Sequence, residues 1–452
     1  MATASVSYRR SRWALGGWAL GVLGLANVAA IVALWLHGGG VDDVTDGSSL
    51  LTSLGRLTGL LGAYLVLVQL LLLARIPVLD RLVGFDLLTV WHRRNGFACL
   101  ALLLAHAALV TAGYALGDGV SLPTEIGRLV TGYPGVITAT AGLVMLIAVV
   151  ITSIVIVRRR LRYETWYFVH LYAYLAIALA FSHQLATGAD FVGGSLARTY
   201  WYVLYLATLG ALVLFRLGIP AARNAYYRLR VERVVAEGPG VVSLEIGGAH
   251  LDRLKARAGQ FFTWRFLTRD HWWEAHPFSL SAAPDGRRLR ITVKGLGAYS
   301  AGLGSIRPGT RVAVEGPFGA FTSAARRRPR VALIAGGVGI TPIRALLEDM
   351  PGDAGDIAVV YRAAHADDVI LRTELDDLAR RRGADLHYVL GDHRDPQASA
   401  LLSPEHLREL VPDIASRDVY VCGPPAMTAA TGASLRRAGV PRRQIITERF
   451  AL

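Results

Sequence analysis

The chain has 452 residues, of which 53% are hydrophobic, and a mean hydropathy of +0.39. It is too apolar for an ordinary soluble protein and too long for a single domain. Two cysteines, Cys99 and Cys422, lie in different halves, which excludes a disulfide framework and a cysteine-based metal site. The net charge of +14 comes almost entirely from arginine, and the placement of arginines at the ends of apolar segments argues against a nucleic-acid partner.

Six apolar segments in the first half predict transmembrane helices. They cover residues 13–36, 50–74, 95–116, 135–157, 165–187 and 199–219. Arginines lie before the first segment, between the second and third, and in the run RRRLR at 158–162. This asymmetry predicts a multi-pass protein of the cell membrane, embedded in the lipid bilayer, with both termini in the cytoplasm. The N-terminus resembles a signal peptide, but its apolar run of about 24 residues is too long and is interpreted as a retained helix.

Four of the twelve histidines lie within or at the edges of these segments. His92 and His106 belong to the third segment, and His170 and His183 to the fifth, which crosses the bilayer in the same direction. Fourteen residues of α-helix rise about 21 Å and return close to the starting face, so the third segment offers imidazoles at two depths. Neutral imidazoles are good axial ligands of haem iron. The pattern therefore predicts an inner haem between His92 and His170 and an outer haem between His106 and His183.

Three features of these segments leave alternatives open. Polar residues in membrane helices also form hydrogen bonds to their neighbours, which is the other explanation of the histidines. The thirteen-residue step from His170 to His183 turns the second imidazole roughly 140° away, so the helix must tighten or bend, or the haems are met from different directions. Arg56, inside the second segment, is expected to bind a haem propionate or an anionic product, unless it reaches the lipid headgroups.

The second half has the patterns of two soluble folds. Six short strand-like runs, from YYRLRVERVV at 226 to TRVAVEGPFG at 310, predict an antiparallel barrel. Five later strands alternate with helices and predict a doubly wound nucleotide-binding sheet. The glycines of GGVGITP, at 336–342, suit a pyrophosphate at a helix N-terminus, although the full GxGxxG spacing is lacking. The predicted fold is a membrane α-helical bundle (1–222), a β-barrel FAD domain (223–325) and an α/β Rossmann-like NAD(P)-binding domain (326–452).

Six motifs in the second half resemble the ferredoxin–NADP reductase family. In order, they are HPFSL (276–280), VKGLGAYSAGL (293–303), EGPFG (315–319), GGVGITP (336–342), CGPPAM (422–427) and ERF (448–450). Together with the six segments and the histidine pairs, they make the chain resemble the ferric reductase and NADPH oxidase superfamily, as a bacterial NADPH-oxidase-like member. The resemblance implies FAD, two b-type haems and NADPH, with NADH possible, as cofactors.

The same resemblance implies the residues of the flavin and nucleotide sites. The residues implied for FAD are His276, Pro277, Phe278, Ser279, Lys294, Gly297, Ala298, Tyr299, Ser300 and Phe450. Those implied for the nicotinamide nucleotide are Gly337, Gly339, Thr341, Cys422, Gly423 and Pro424. Ser279, Cys422 and Phe450 are the implied catalytic residues, although Phe450 has a hydrophobic C-terminal anchor as its alternative. Arg362 ends the second strand of the sheet, where an NAD-binding protein would carry an acidic residue, and favours the 2′-phosphate of NADPH.

The resulting hypothesis is an electron relay from cytoplasmic NADPH through FAD and the two haems to an acceptor on the outer face. Oxygen, giving superoxide, is the first expectation for the acceptor, and a ferric chelate is the second. Eukaryotic oxidases of the superfamily have a further histidine one turn beyond the outer ligand, where this chain has Val110. The alternatives are an electron-transfer subunit that feeds an envelope protein and a histidine-gated transporter with a regulatory flavin domain, which predicts no Soret absorption.

Overall fold

A computed structural model describes residues 4–83, 85–154, 157, 163–192, 195–392 and 400–449. The chain divides into two compact units, Met1–Ile219 and Pro220–Leu452. Within the described residues the first unit is helical, and the strands belong to the second. The arginine run at 158–162 lies outside the described residues.

The first unit is a bundle of apolar helices. Among the described residues, six helices are long and apolar enough to cross a bilayer, which confirms the six predicted segments. The helices are α1 (Ala4–His37), α2 (Gly47–Leu72), α3 (Pro77–Leu82), α4 (Phe85–Asp118), α5 (Leu122–Gly132), α6 (Val136–Ser153), α7 (Tyr163–Thr187), α8 (Ala189–Val192) and α9 (Ser195–Leu212). A π-helical stretch, Val213–Gly218, leads into α10 (Ile219–Tyr227), so the sixth apolar helix continues beyond its predicted end.

Glycines bring the helices of the bundle close together. α2 packs along α4, and α6 packs along α7. A Cβ atom on Gly62 of α2 would lie 2.9 Å from the Leu103 side chain, and one on Gly142 of α6 would lie 2.6 Å from the Ala176 carbonyl oxygen. Small residues at such contacts are typical of helix pairs in membranes. These contacts position α4 and α7, the two helices that carry the predicted haem ligands.

A six-stranded antiparallel barrel begins the second unit. Its strands are β1 (Arg230–Gly238), β2 (Val241–Gly247), β3 (Phe261–Phe266), β4 (His276–Ser279), β5 (Arg288–Lys294) and β6 (Val312–Phe318). They form two sheets with the strand orders β1-β2-β5 and β4-β3-β6. Bridges from Arg230 to Arg311 and from Leu280 to Ile291 join the sheets at their edges. Every second side chain of β3 is fully buried, as a strand with one face on a core requires. The predicted barrel is confirmed.

A five-stranded parallel sheet completes the second unit. Its strands are β7 (Val331–Gly336), β8 (Ile357–Ala363), β9 (Asp385–Leu390), β10 (Asp418–Gly423) and β11 (Ile445–Arg449). Among the described residues of this unit, the helices that follow α10 are the short α11 (Ala298–Gly302) in the barrel and α12 (Ile340–Asp349), α13 (Arg372–Arg382), α14 (Pro404–Leu410) and α15 (Pro425–Arg437) beside the sheet. The strand order β11-β10-β7-β8-β9 reverses between β7 and β10, the place where doubly wound sheets bind their ligands. The predicted sheet is also confirmed.

Candidate functional site

Four histidines form two facing pairs between α4 and α7. In the first pair, the ring centroids of His92 and His170 lie 6.1 Å apart at an interplanar angle of 55°. In the second pair, those of His106 and His183 lie 6.2 Å apart at 33°. The structure therefore places the predicted ligands in two layers along the same two helices.

The spacing within each pair suits one iron atom between two imidazoles. A metal–nitrogen distance of about 2 Å on each side puts the two ring centroids roughly 6 Å apart. A direct hydrogen bond between the rings would bring the centroids closer, to roughly 5 Å. The observed distances of 6.1 and 6.2 Å agree with the first arrangement.

The Nδ1 atom of each histidine lies within hydrogen-bond distance of a protein oxygen. The oxygens are Gln69 O for His92 (3.2 Å), Gly55 O for His106 (2.8 Å), Ser153 Oγ for His170 (3.2 Å) and Ala180 O for His183 (2.6 Å). An acceptor at Nδ1 keeps the proton there and leaves the Nε2 lone pair for a metal ion, as is usual for histidine ligands. The four side chains therefore fit two bis-histidine haem irons.

The thirteen-residue step between His170 and His183 lies within uninterrupted helix. α7 is continuous over Tyr163–Thr187. The rings of the two pairs meet at different interplanar angles, 55° and 33°. The step therefore needs no break in α7, and the choice between a helix that tightens or bends and haems that are met from different directions stays a prediction.

Arg56 follows Gly55, the residue whose carbonyl oxygen accepts the bond from His106. Its guanidinium donates to Asp190 Oδ2 at 3.2 Å and to Gly38 O at 3.3 Å. Asp190 is a buried carboxylate of α8 that the sequence analysis did not select. Arg56 therefore has an anionic partner on the protein itself, and its binding of a propionate or an anionic product stays a prediction.

A cavity of about 300 Å³ lies beside Arg56, between the ends of α2 and α4. Side chains with oxygen atoms line much of it, including Asp43, Thr52, Tyr114 and Asp118. The cavity is lined by Arg56, which follows Gly55 in the chain, and the Gly55 carbonyl oxygen accepts the hydrogen bond from His106 of the second histidine pair. It is a candidate place for a small polar molecule to approach that pair.

The barrel residues predicted for FAD include two buried hydroxyl groups. Ser279 Oγ and Tyr299 Oη are buried and have no hydrogen-bond partner among the described residues. The rings of Tyr299 and His276 lie 4.0 Å apart, and Glu274 Oε2 lies 3.1 Å from His276 Nε2. A buried hydroxyl without a partner is unfavourable unless a ligand supplies one, so these residues fit a bound flavin nucleotide.

The other residues predicted for FAD lie on β4, on β5 and at the start of α11. Pro277 and Phe278 belong to β4, and Gly297, Ala298 and Ser300 form the first turn of α11. The hydroxyl of Ser300 accepts hydrogen bonds from the amides of residues 296 and 297. Lys294 forms an ion pair with Asp368 at 3.2 Å, a partner that the sequence did not indicate. Its contact with a pyrophosphate therefore stays a prediction.

The residues predicted for the nicotinamide nucleotide surround the reversal of strand order. They are Gly337, Gly339 and Thr341 after β7, and Cys422, Gly423 and Pro424 at the end of β10. Gly337 has a φ of +52°, and a Cβ atom on Gly339 would lie 2.8 Å from the Cα atom of Gly423. These glycines let the ends of β7 and β10 approach closely. The crevice fits a dinucleotide, whose pyrophosphate would lie on the turn before α12.

Glu448 is a half-buried residue in this region whose Oε2 atom is buried, and the sequence did not indicate it as a site residue, although the ERF motif contains it. It pairs in register with Cys422 across β10 and β11. Its Oε2 atom has no hydrogen-bond partner among the described residues. Burial raises the pKa of Glu448 to about 8, and burial together with nearby Glu448 raises the pKa of the Cys422 thiol. Phe450 lies outside the described residues, so its stacking on the flavin stays a prediction.

We expect Glu448→Gln to weaken a pH dependence of stability. This carboxyl has a pKa of about 8 in the folded state and 4.5 in the unfolded state. Its contribution to the stability of the folded state is fully present at pH values below 4.5. This contribution is lost as the pH rises through about 8, because the unfolded chain ionises freely while the folded chain must bury a charge. Thermal unfolding midpoints should fall more steeply between about pH 5 and pH 9 in the parent than in the variant. Parallel curves would show that Glu448 is not the titrating group.

Comparisons with known proteins match the two units separately. Residues 58–181 match the family described as ferric reductase like transmembrane component, and residues 333–432 match the oxidoreductase NAD-binding domain. NADH-cytochrome b5 reductase 1 of Dictyostelium discoideum is 31% identical over 167 residues, which cover 35% of this chain and 58% of that protein. The flavohemoprotein of Pseudomonas putida is 32% identical over 206 residues, which cover 44% of this chain and 52% of that protein.

The match to curated relatives is partial. The chain spans less than three fifths of the length of the first curated relatives that it matches, such as 58% of the Dictyostelium protein. Among solved structures, the FAD/NAD-binding domain of a nitric oxide dioxygenase from Vibrio cholerae has 24% sequence identity and a TM-score of 0.42. That similarity covers 50% of this chain and 98% of the solved domain.

Proposed function

We propose that this chain, which has the two-part architecture of the ferric reductase and NADPH oxidase superfamily, is a transmembrane flavocytochrome that moves electrons from NAD(P)H across the bilayer. The observation that carries the proposal is the pair of histidine layers. Each layer has the spacing that one iron atom requires, and each ring has an acceptor that fixes its Nδ1 proton. An ordinary structural histidine has no need of a facing imidazole at this distance.

The residues of the chain provide the positions for the cofactors. When bound, FAD would take two electrons from NAD(P)H as a hydride, and haem iron at the two pairs would carry them one at a time. Fourteen residues of α4 separate His92 from His106, which corresponds to a rise of about 21 Å through the hydrocarbon region. In the second unit, the buried Cys422 and the half-buried Glu448 pair in register on β10 and β11, beside the proposed nicotinamide crevice.

The proposed orientation puts the first pair near the cytoplasm and the second pair near the outer face. It rests on the arginines at the predicted cytoplasmic ends of the segments. Both termini, and with them the whole second unit, are then cytoplasmic. This is the side on which NAD(P)H is available.

Oxygen, reduced to superoxide, is the acceptor that we propose first. Outer-sphere reduction requires only close approach to the second pair. Arg56 follows the residue that bonds to His106, and it would bind an anionic product by exchanging its ion pair with Asp190. Val110 packs against Gly55 where eukaryotic oxidases have a histidine: a Cβ atom on Gly55 would lie 2.6 Å from its Cγ2 atom. An apolar side chain there is compatible with outer-sphere transfer, which needs no proton donor.

A ferric chelate is the second candidate acceptor, because the cavity beside Arg56 favours it. A volume of about 300 Å³ exceeds what dioxygen needs, and carboxylates of Asp43 and Asp118 line it. Such oxygen ligands attract hard cations. The cavity therefore supports a larger, metal-containing acceptor as well.

Two assays on the purified protein separate these candidates. Superoxide is measured as cytochrome c reduction that superoxide dismutase suppresses, and iron(II) is measured with ferrozine. We expect NADPH-dependent superoxide formation in the first assay. Iron(II) formation under anaerobic conditions without superoxide in air would favour the chelate. Haems that NADPH reduces without either product would identify an electron-transfer subunit for an envelope protein.

Arg362→Ala should weaken the use of NADPH but not of NADH. Arg362 is the penultimate residue of β8 and pairs in register with Gly336, so it lies beside the glycine turn where the adenosine ribose is expected. A charge-assisted hydrogen bond of about 1.5–3 kcal/mol to the 2′-phosphate corresponds to a KM for NADPH raised at least about tenfold. Steady-state kinetics with both nucleotides test this, with Arg380→Ala on the exposed face of α13 as the control. An equal change of KM for NADH would assign Arg362 a structural role.

A further inference from the structure

Ser153, the last residue of α6, differs in kind from the other Nδ1 partners of the four histidines. Three of those partners are backbone carbonyl oxygens, whereas the Nδ1 atom of His170 faces the hydroxyl of Ser153 at 3.2 Å. A carbonyl oxygen belongs to the main chain, so it is present whichever amino acid occupies that position. Among the four histidines, His170 is therefore the one whose Nδ1 partner is a side chain and can be changed by a substitution.

The neighbours of Ser153 determine which hydrogen bonds its hydroxyl donates and which it accepts. Its single hydrogen is donated to the Val149 carbonyl oxygen at 2.7 Å. The indole of Trp166 can only donate, and its Nε1 atom lies 3.3 Å from the same hydroxyl oxygen. Both remaining lone pairs of Ser153 Oγ therefore accept, one from Trp166 and one from His170. His170 thus carries its proton on Nδ1, which leaves its Nε2 atom unprotonated and able to bind a metal ion.

We propose that Ser153 is a positioning residue that fixes the tautomer of His170 and sets the reduction potential of the first-pair iron separately from that of the second. An acceptor at Nδ1–H makes the imidazole a stronger donor to iron and so favours the ferric state. A hydroxyl that also serves Trp166 is a weaker acceptor than a carbonyl. The acceptors in the second pair are also closer, at 2.8 and 2.6 Å against 3.2 Å for both bonds of the first.

The inference rests on the proposed binding of haem, and its test is a redox titration of the purified full-length protein. Ser153→Ala removes the acceptor, so we expect one haem to titrate at a more positive potential and the other to stay unchanged. A roughly tenfold change in the oxidised-to-reduced equilibrium corresponds to about 59 mV for a one-electron couple. Ser153→Thr keeps the hydroxyl and should restore the parent value.

Two further variants separate this role from a merely structural one. Trp166→Phe removes the competing donor but keeps an aromatic ring beside His170, whose centroid lies 5.1 Å from that of Trp166. Ser153 then becomes a better acceptor, so the same haem should shift in the opposite direction, to a more negative potential. Ser182→Ala is the control, because that hydroxyl bonds to Thr138 and Leu179, although it lies next to His183 in the chain. It should leave both potentials unchanged.

The outcomes distinguish this inference from the proposed function. Two bound haems with unchanged potentials in Ser153→Ala would overturn the role of Ser153 and leave the histidine pairs intact. Protein that binds no haem in its parent form would overturn the proposed function itself. If Ser153→Ala loses the first-pair haem, the reduction potentials of Trp166→Phe and of the parent are compared instead. Equal potentials in these two proteins would overturn the inference.

Discussion

Replacing His106 with leucine is expected to remove one of the two haems from the purified protein and to leave the other bound. The ring centroid of His106 lies 6.2 Å from that of His183, and the first pair lies about 21 Å away along α4. An isolated imidazole opposite an apolar side chain cannot complete six-coordinate iron. Electron transfer to any acceptor on the outer face should then fall to background, while NADPH still reduces the flavin.

Haem content per chain, measured as the pyridine haemochrome and normalised to protein, checks this expectation. His183→Leu should have the same effect as His106→Leu, because each removes one ligand of the same iron. His37→Leu, at the end of α1 and outside both pairs, is the matched control and should keep both haems. Retention of two haems in either pair variant would show that the layers are assigned wrongly.

Replacing Gly339 with alanine is expected to abolish reduction by NAD(P)H while the haems stay reducible by dithionite. The added Cβ atom would collide with the Cys422 carbonyl oxygen and would lie 2.8 Å from the Cα atom of Gly423. Both are backbone atoms at the end of β10, so they cannot rotate away as a side chain can. Overpacking of this kind typically costs about 1–3 kcal/mol, and here it displaces the two strand ends that form the nucleotide crevice.

Gly432→Ala provides a matched control within the same sheet domain. A Cβ atom there would meet nothing nearer than Arg436 Nη1 at 3.7 Å, which is an ordinary contact. Alanine is also favoured over glycine within a helix such as α15, by roughly 1 kcal/mol. The control should therefore keep the parent rate of NADPH oxidation. Equal rates in Gly339→Ala and the parent would mean that the crevice does not bind the nucleotide.

The spans and strands could be predicted because each depends on a local pattern. Hydropathy over about twenty residues identifies a membrane helix without knowledge of its neighbours. The strands of both soluble folds follow from short apolar runs between glycine and proline turns. α5 (Leu122–Gly132) was not predicted, because an amphipathic helix of this length gives no membrane signal. Its buried Glu125 shows that its polar face also packs against the protein.

The partners of the charged and polar site residues could not be predicted, because they are distant in sequence. Arg56 and Asp190 are 134 positions apart, and Lys294 and Asp368 are 74 apart. Spacing on one helix cannot reveal such pairs, since they depend on how helices and strands pack. The role of Glu448 could not be predicted for a different reason. Its motif was found, but its burial beside Cys422, which raises its pKa, becomes visible only in the parallel register of β10 and β11.

The decisive experiment is optical: an NADPH-reduced minus air-oxidised spectrum of membranes that contain the protein, with haem quantified per chain. We expect sharp Soret and α bands of low-spin b-type haem, at two haems per chain, to appear on addition of NADPH. A preparation that shows only the yellow of flavin would contradict this expectation, because imidazoles that hold no porphyrin cannot conduct electrons through lipid.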